Sequence, residues 1–292
     1  MLQLEKDQGI PRSVLFVMAV VSGLTVANLY YNQPLLEDIR RELHVSEVHA
    51  NLITFVTQVG YAVGLLFVVP LADMWSRRKI AAASMIVAAL MAVSIATSNH
   101  IQIVWGASLI LGICSVIPQM FVPMARLYSL PQNKSRNMGY VLSGLLSGVL
   151  GARVMSGYVG EWLGWRAMFG IAAIVMLLCL MVTLRMLPQM RPTYQGNFIG
   201  LMHSIITIYR SHSLIRLYSV RAAFAFGSMM AVWSCMAFHL SGSPFYASSE
   251  AVGMLGLCGM AGAMAASGIG RFIPRFGIMR ISFMGSWLQL VA

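Results

Sequence analysis

The stretch VPLADMWSRRK, Val69 to Lys79, decides how this chain is read. It lies between two long apolar runs, with Asp73 first and then Arg77, Arg78 and Lys79 in succession. Three cations beside hydrocarbon mark the cytoplasmic end of a membrane span, because Lys and Arg next to a span hold that side inside. Topology has no need of the carboxylate. Two readings of Asp73 therefore stand: a satisfied turn residue, or part of a packing device between helix ends.

The rest of the composition agrees with a turn in a membrane. Hydrophobic residues make up 58% of the 292 residues and charged residues only 10%, and the mean hydropathy is +0.75. Ordinary soluble domains are roughly 25% charged, so an integral membrane protein of many helices is expected. The start, MLQLEKDQGIPRS, is polar, and the apolar run behind it is long enough to span, so no cleavable signal peptide is expected. Cys114, Cys179, Cys235 and Cys258 all fall in apolar runs and are too dispersed for a metal site; they read as small hydrophobes.

A span needs about 20 apolar residues. That rule places helices near 13–33, 50–70, 79–98, 101–123, 138–158, 165–187, 217–239 and 250–270, with a ninth beginning near 276. With the amino terminus inside, sixteen of the 20 Lys and Arg residues fall on inside segments and three (Arg40, Arg41, Arg166) outside, while Arg153 lies within a helix. The acids lean outward: Glu37, Asp38, Glu42, Glu47, Glu161 and Glu250. The net charge of +11 thus records topology and not a nucleic-acid partner. The expected topology crosses the membrane many times, with the N-terminus cytoplasmic.

The longest connection, residues 188–216, carries Pro188, Pro192 and an apolar stretch from Phe198 to Ile208 among basic residues. It reads as a cytoplasmic linker with a surface-lying helix. It divides the chain into a six-helix bundle, 1–187, and a second, partial bundle, 217–292. The second block repeats the first: GRFIPRFGIMR, Gly270 to Arg280, aligns on VPLADMWSRRK without gaps at a period of about 200 residues, with Pro274 under Asp73. Upstream, Val45 to Ile53 (VSEVHANLI) resembles Ser248 to Gly256 (SSEAVGMLG). Two halves in one orientation joined by a long inside linker are a transporter layout.

These residues resemble the major facilitator superfamily, whose signature in this turn runs Gly-x-Leu-x-Asp-Arg-x-Gly-Arg-Arg/Lys. The chain keeps Leu71, Asp73, Arg77 and Arg78, with Val69, Met74 and Ser76 at the other positions. The second copy keeps Gly270, Arg275 and Gly277 and lacks the Asp. ANLYYNQPLL (Ala27 to Leu36), TQVGYAVGLL (Thr57 to Leu66), SGLLSGVLGARVMSG (Ser143 to Gly157) and GWRAMF (Gly164 to Phe169) look like a bacterial branch related to the drug/proton antiporters. The resemblance implies an all-α bundle of twelve helices, of which eight and part of a ninth are expected here, and so a C-terminally truncated chain. It also implies a bacterial inner membrane as the location, and that Asp73 meets the eleventh helix when the cytoplasmic side is shut.

Candidate site residues follow from polarity inside spans. Arg153 is the only formal charge deep in a predicted helix; a cation there faces a cavity or snorkels to the headgroups. Asn28 and Tyr31 sit one turn apart on the first helix, Gln58 and Tyr61 repeat that spacing on the second, and Gln119 follows Pro118 on the fourth. Such groups need partners in hydrocarbon, and they either bind solute or pin neighbouring helices. Gly112, Pro118 and Pro123 are expected to bend the fourth helix. Gly144, Gly148, Ala152 and Ser156 recur every four residues, and Gly253, Gly256, Gly259 and Gly262 every three. Small residues so spaced allow close helix approach, and the resemblance implies that these two helices meet between the halves.

No Asp or Glu falls inside a predicted span, so proton coupling through a membrane carboxylate is not expected from this chain. The six histidines sit at helix ends or in loops. No nucleophile–base pair, metal cluster or phosphate loop stands out, so an enzyme is not expected. No cofactor is implied; the expected partners are a small-molecule solute, protons as coupling ion and membrane lipid, in a monomer. The expectation is a secondary-active, efflux-type carrier of small organic solutes working by alternating access. Two other readings stand beside it: a transport-incompetent remnant, and a sensor or lipid-interacting protein on the same scaffold.

Overall fold

The computed structural model describes residues 6–188, 196–257 and 276–291, and among them every regular element is helical. The helices are α1 (Arg12–Val26), α2 (Asn32–Glu42), α3 (Glu47–Met74), α4 (Arg77–Thr97), α5 (Ile101–Cys114), α6 (Ile117–Tyr128), α7 (Lys134–Leu163), α8 (Trp165–Met186), α9 (Phe198–Ser211), α10 (Ser213–Ser241), α11 (Ser249–Met254) and α12 (Ile278–Val291). Seven stretches of the described residues are long and apolar enough to cross a bilayer: Arg12–Glu42, Glu47–Met74, Arg77–Thr97, Ile101–Tyr128, Pro131–Leu163, Trp165–Met186 and Ser213–Ser241. Of the expected eighth, 250–270, only the part up to Leu257 is described. The described part of the ninth is the 14 residues of α12.

Most spans run longer than the sequence reading. The first continues through a short 3-10 turn, Ala27–Leu29, into α2, nine residues past the expected end at 33. Charge did not stop it, for two reasons. Leu35, Leu36 and Ile39 are fully buried, and Glu37 receives Arg40 and Arg41 at 2.6 Å, three and four residues on, where helix geometry puts them alongside. The fourth span breaks between α5 and α6 at Ser115–Val116, with Pro118 in the first turn of α6 and Pro123 inside it. Within the predicted linker, α9 is capped by Asn197, whose side chain accepts the Gly200 N–H at 2.8 Å, and no residue of α9 is buried. The seventh span follows almost at once, from Ser213.

Three helix pairs build the α1–α8 bundle: α1 on α7, α3 on α5, and α4 on α8. The first two are glycine contacts. A Cβ on Gly60 would collide with the Leu109 carbonyl of α5, one on Gly64 with the Ile113 carbonyl, and one on Gly112 with the Thr57 carbonyl of α3. With lipid as apolar as leucine, close packing of this kind, and not exclusion of water, joins helices. α4 and α8 pack together, and their buried residues include Ala81, Ala88, Ala89 and Ala92 on the one and Ala172 and Ala173 on the other.

Candidate functional site

The charged turn lies at one end of the bundle, hereafter the basic end. Asp73 Oδ1 accepts from Arg77 at 2.7 Å, one helical turn later across the α3–α4 corner. Arg77 is buried to 7% exposure and also reaches the Tyr128 hydroxyl at the end of α6, 3.4 Å away. Arg78 donates to the Leu184 carbonyl of α8. The backbone N–H of Trp75 closes α3 on the Leu71 carbonyl at 2.8 Å. Asp7 pairs with Lys134 at 2.6 Å, and Gly9 N–H donates to the Tyr128 carbonyl at 2.9 Å, so the N-terminal segment joins the same end. In the second copy, Gly270 and Arg275 lie outside the described residues. Gly277 has φ +79°, in the left-handed region, at the entrance to α12.

The amide–tyrosine candidates divide. Gln119 Nε2 donates to the Tyr61 hydroxyl at 2.9 Å, linking α6 to α3. Asn28 Nδ2 meets Met176 Sδ at 3.3 Å. Asn28 Oδ1, the Tyr31 hydroxyl and Gln58 Nε2 are buried without a hydrogen-bond partner among the described residues. Asn32, which followed these in the sequence, donates to Thr57 Oγ1 at 3.3 Å and accepts from Thr54 at 3.4 Å, pinning α2 to α3.

Arg153 is 2% exposed, so it does not snorkel. Its Nε donates to Gln33 Oε1 at 2.8 Å, and one terminal nitrogen donates to the Val149 carbonyl at 3.2 Å. Its guanidinium lies between two rings: Tyr30 at 4.6 Å and Trp233 at 4.3 Å from the centroids. Gln33 Nε2 in turn meets Met230 Sδ at 3.6 Å. A lone Arg mid-span costs about 2.5–3.5 kcal/mol or more. Two desolvated cation–π contacts of about 2 kcal/mol each, with the Gln33 bond, offset a cost of that size. Trp233 and Met230 belong to α10, so the cation is shared between α1–α8 and the helices after the linker.

The small-residue stripe is corrected. Gly144 and Gly148 do not face the later helices: a Cβ on Gly144 would strike the Ala19 carbonyl, and one on Gly148 that of Gly23, both on α1. Ala152, 2% exposed, lines the same α1–α7 seam, beside a groove of about 500 Å³. The contact with α11 is made farther along α7, by Gly157 and the Arg153 backbone. A Cβ on Gly157 would lie 2.5 Å from the Ser249 carbonyl, and one on Gly253 would lie 2.6 Å from the Arg153 carbonyl. Gly256 faces Arg153 Cβ, and Gly259 lies outside the described residues. A 30-residue helix is long enough to serve two partners in succession, and a spacing rule cannot say which residues serve which.

At about 1.5 Å per residue the stretch Arg12–Glu42 outruns a hydrocarbon core of about 30 Å, and Glu37, 7% exposed, and Asp38 lie near its far end. Ser249 Oγ of α11 donates to Asp38 Oδ2. These groups border a cavity of about 310 Å³ at the end opposite the basic one, shared by Glu37, Asp38, Arg41 and Glu161 with Ser241, Tyr246 and Ser248. Nearby, Glu42 holds Arg166 and accepts the Trp165 indole N–H at 2.5 Å, while Arg166 also reaches the Ser98 carbonyl at 3.0 Å and Asn99 Oδ1 at 2.8 Å.

Sequence reasoning passed over Trp233 and Asp38. The spacing of Glu37 to Arg40 and Arg41 was a signal that the helix continues. For Trp233, one tryptophan in an apolar run, there was none.

Glycine-packed spans and a cationic seam between helices on either side of a linker define a polytopic carrier fold. The chain belongs to the Major Facilitator Superfamily, whose profile it matches over residues 15–292. It is 33% identical over 286 residues to the uncharacterized transporter YgaY of Escherichia coli O157:H7, covering 95% of this chain and 72% of that one. It is 33% identical over 272 residues to a probable transporter of Streptomyces coelicolor, covering 92% and 63%. Among solved structures, a bacterial homologue of the human lysosomal transporter Spinster, inward-facing and unoccupied, superposes with a TM-score of 0.70 at 16% identity, covering 90% of this chain and 63% of that one. The protein is thus a multi-pass membrane protein of a transporter family that handles small-molecule solutes.

Proposed function

We propose that the chain is a secondary-active carrier of small organic solutes in a bacterial inner membrane, working by alternating access between a first half (1–187) and a second (217–292), with 188–216 as linker. One observation carries this: among the described residues, the first half meets α10 and α11 at the end away from the basic turn. The side chains of α10 that are buried are Met230 and Ala237, both in its second half. With Arg77, Arg78 and Lys79 on the cytoplasmic side, the joined end is the outer one, and the conformation faces inward, as the Spinster homologue does. The seam suits separation because polar bonds that can be exchanged for water surround its glycine contacts. A broad apolar interface would hold the halves fixed.

Export is the direction we assign, with protons as the coupling ion. The unpartnered groups of Asn28, Tyr31 and Gln58 are the candidates for solute hydrogen bonds, since buried polar atoms need partners. The test is uptake of a panel of amphipathic organic cations, anions and neutral compounds into inverted vesicles, with and without an imposed pH gradient. Gradient-driven uptake of any panel member supports the reading. Flux equal to that of empty vesicles for the whole panel would refute it and favour a remnant or sensor.

A further inference from the structure

The feature that function leaves unexplained is the pair of rings around Arg153. They have the same chemistry and nearly the same distance from the guanidinium, 4.6 and 4.3 Å, but they stand on different halves. Tyr30 is fixed in the same bundle as Arg153 and Gln33, 6% exposed. Trp233 arrives from α10. The Tyr30 face, the Gln33 bond and the Val149 bond all survive any movement between halves; the Trp233 face does not. Gly253 of α11 and Gly256 just beyond it pack on the backbone and Cβ of the same Arg153, so this one residue meets both α10 and the α11 segment at the outer seam.

We infer that Trp233 is the positioning residue of the outer seam: it holds α10 against the first half through the guanidinium of Arg153, and its withdrawal is the step that opens the outer side. Arg153 is the fixed member of this latch. Gln33 and Tyr30 hold its plane ready, so that re-docking the indole orders one side chain and not two. The cation stays paired on the Tyr30 face when the latch opens, which keeps the open state from stranding a bare charge in hydrocarbon. This rests on the two-half movement proposed above, and the experiment separates the two.

Spin labels on cysteines at Trp162 and Phe245, 76% and 56% exposed at the outer ends of the two halves, report the outer gap by pulsed electron–electron resonance. The sample is the full chain in lipid nanodiscs, otherwise free of cysteine. Gly253→Leu, which drives a side chain into the Arg153 carbonyl, is the reference for a forced-open seam. Trp233→Leu is expected to raise the ratio of long to short distances about five- to thirtyfold, the effect of losing one desolvated cation–π contact. Trp233→Phe should keep the parent ratio within about threefold, and Tyr30→Leu should leave it near the parent value, since that ring does not cross the seam. Trp233→Met, longer than Leu and more pliant, gives the same reading if Trp233→Leu does not accumulate. If Gly253→Leu widens the gap and neither Trp233 variant does, or if Tyr30→Leu widens it as much, the latch is refuted alone. If even Gly253→Leu leaves one unshifted distance, the halves do not part and the latch falls with them.

Discussion

Helix α7 makes two glycine seams, and they differ in what surrounds them. Toward α1, Gly144 and Gly148 meet Ala19 and Gly23 backbone to backbone, and the flanking groups are mostly apolar, with no charge among them. Toward α11, Gly157 and Gly253 approach as closely, but Arg153, Gln33, Asp38, Ser249 and Trp233 crowd the joint. The first seam lies within a bundle and the second between bundles. Dispersion is lost steeply and all at once on separation, whereas hydrogen bonds and cation–π contacts can be exchanged for water or for other partners. On the proposed movement of the two halves, the seam that parts is better made from the second kind.

The comparison can be broken where the effects are largest. Gly148→Leu should lose most of the folded protein, because a side chain there meets α1 backbone that cannot yield; overpacking alone costs about 1–3 kcal/mol, occasionally more. Monodisperse protein at parental yield in detergent would sink the claim that the α1–α7 seam is rigid. Arg153→Leu should lower stability by about 1–3 kcal/mol, the cost of leaving the buried Gln33 oxygen unpaired, measured as denaturant-dependent loss of the folded peak. Gly253→Ala, at the α7–α11 seam, should cost about 1–3 kcal/mol, because its methyl group meets the Arg153 carbonyl and α11 must shift outward to admit it, while raising the reactivity of a cysteine placed at Ser249. A loss matching that of Gly148→Leu would erase the distinction. The smallest stability effect is expected at the basic end: Asp73 is half exposed, so Asp73→Asn should change stability by less than about 1 kcal/mol. It should nonetheless slow flux with insertion intact, and parental flux would remove Asp73 from the gate.

Much of this molecule could be read from the chain. The basic turn, the apolar runs and the repeat at about 200 residues pointed to the family, and hydropathy located the centres of seven spans. Span ends were less legible. Hydropathy stops at charge, but Glu37 pairs with both Arg40 and Arg41 and α2 continues through them. The candidate site was legible residue by residue and not as an arrangement. Arg153 stood out because a cation among apolar residues is conspicuous, whereas its Trp233 partner was hidden among other apolar residues.

The sequence by itself determined that this is a membrane bundle with cations gathered on one side, because burial in lipid and retention of charge depend on composition along the chain and need no knowledge of neighbours. Only the tertiary structure decided which glycine meets which helix and what a buried guanidinium leans on. Those are contacts between segments about 50 to 130 residues apart in the chain, as with Gly60 and Leu109 or Arg153 and Trp233, and periodicity along one helix names a face without naming what lies opposite it.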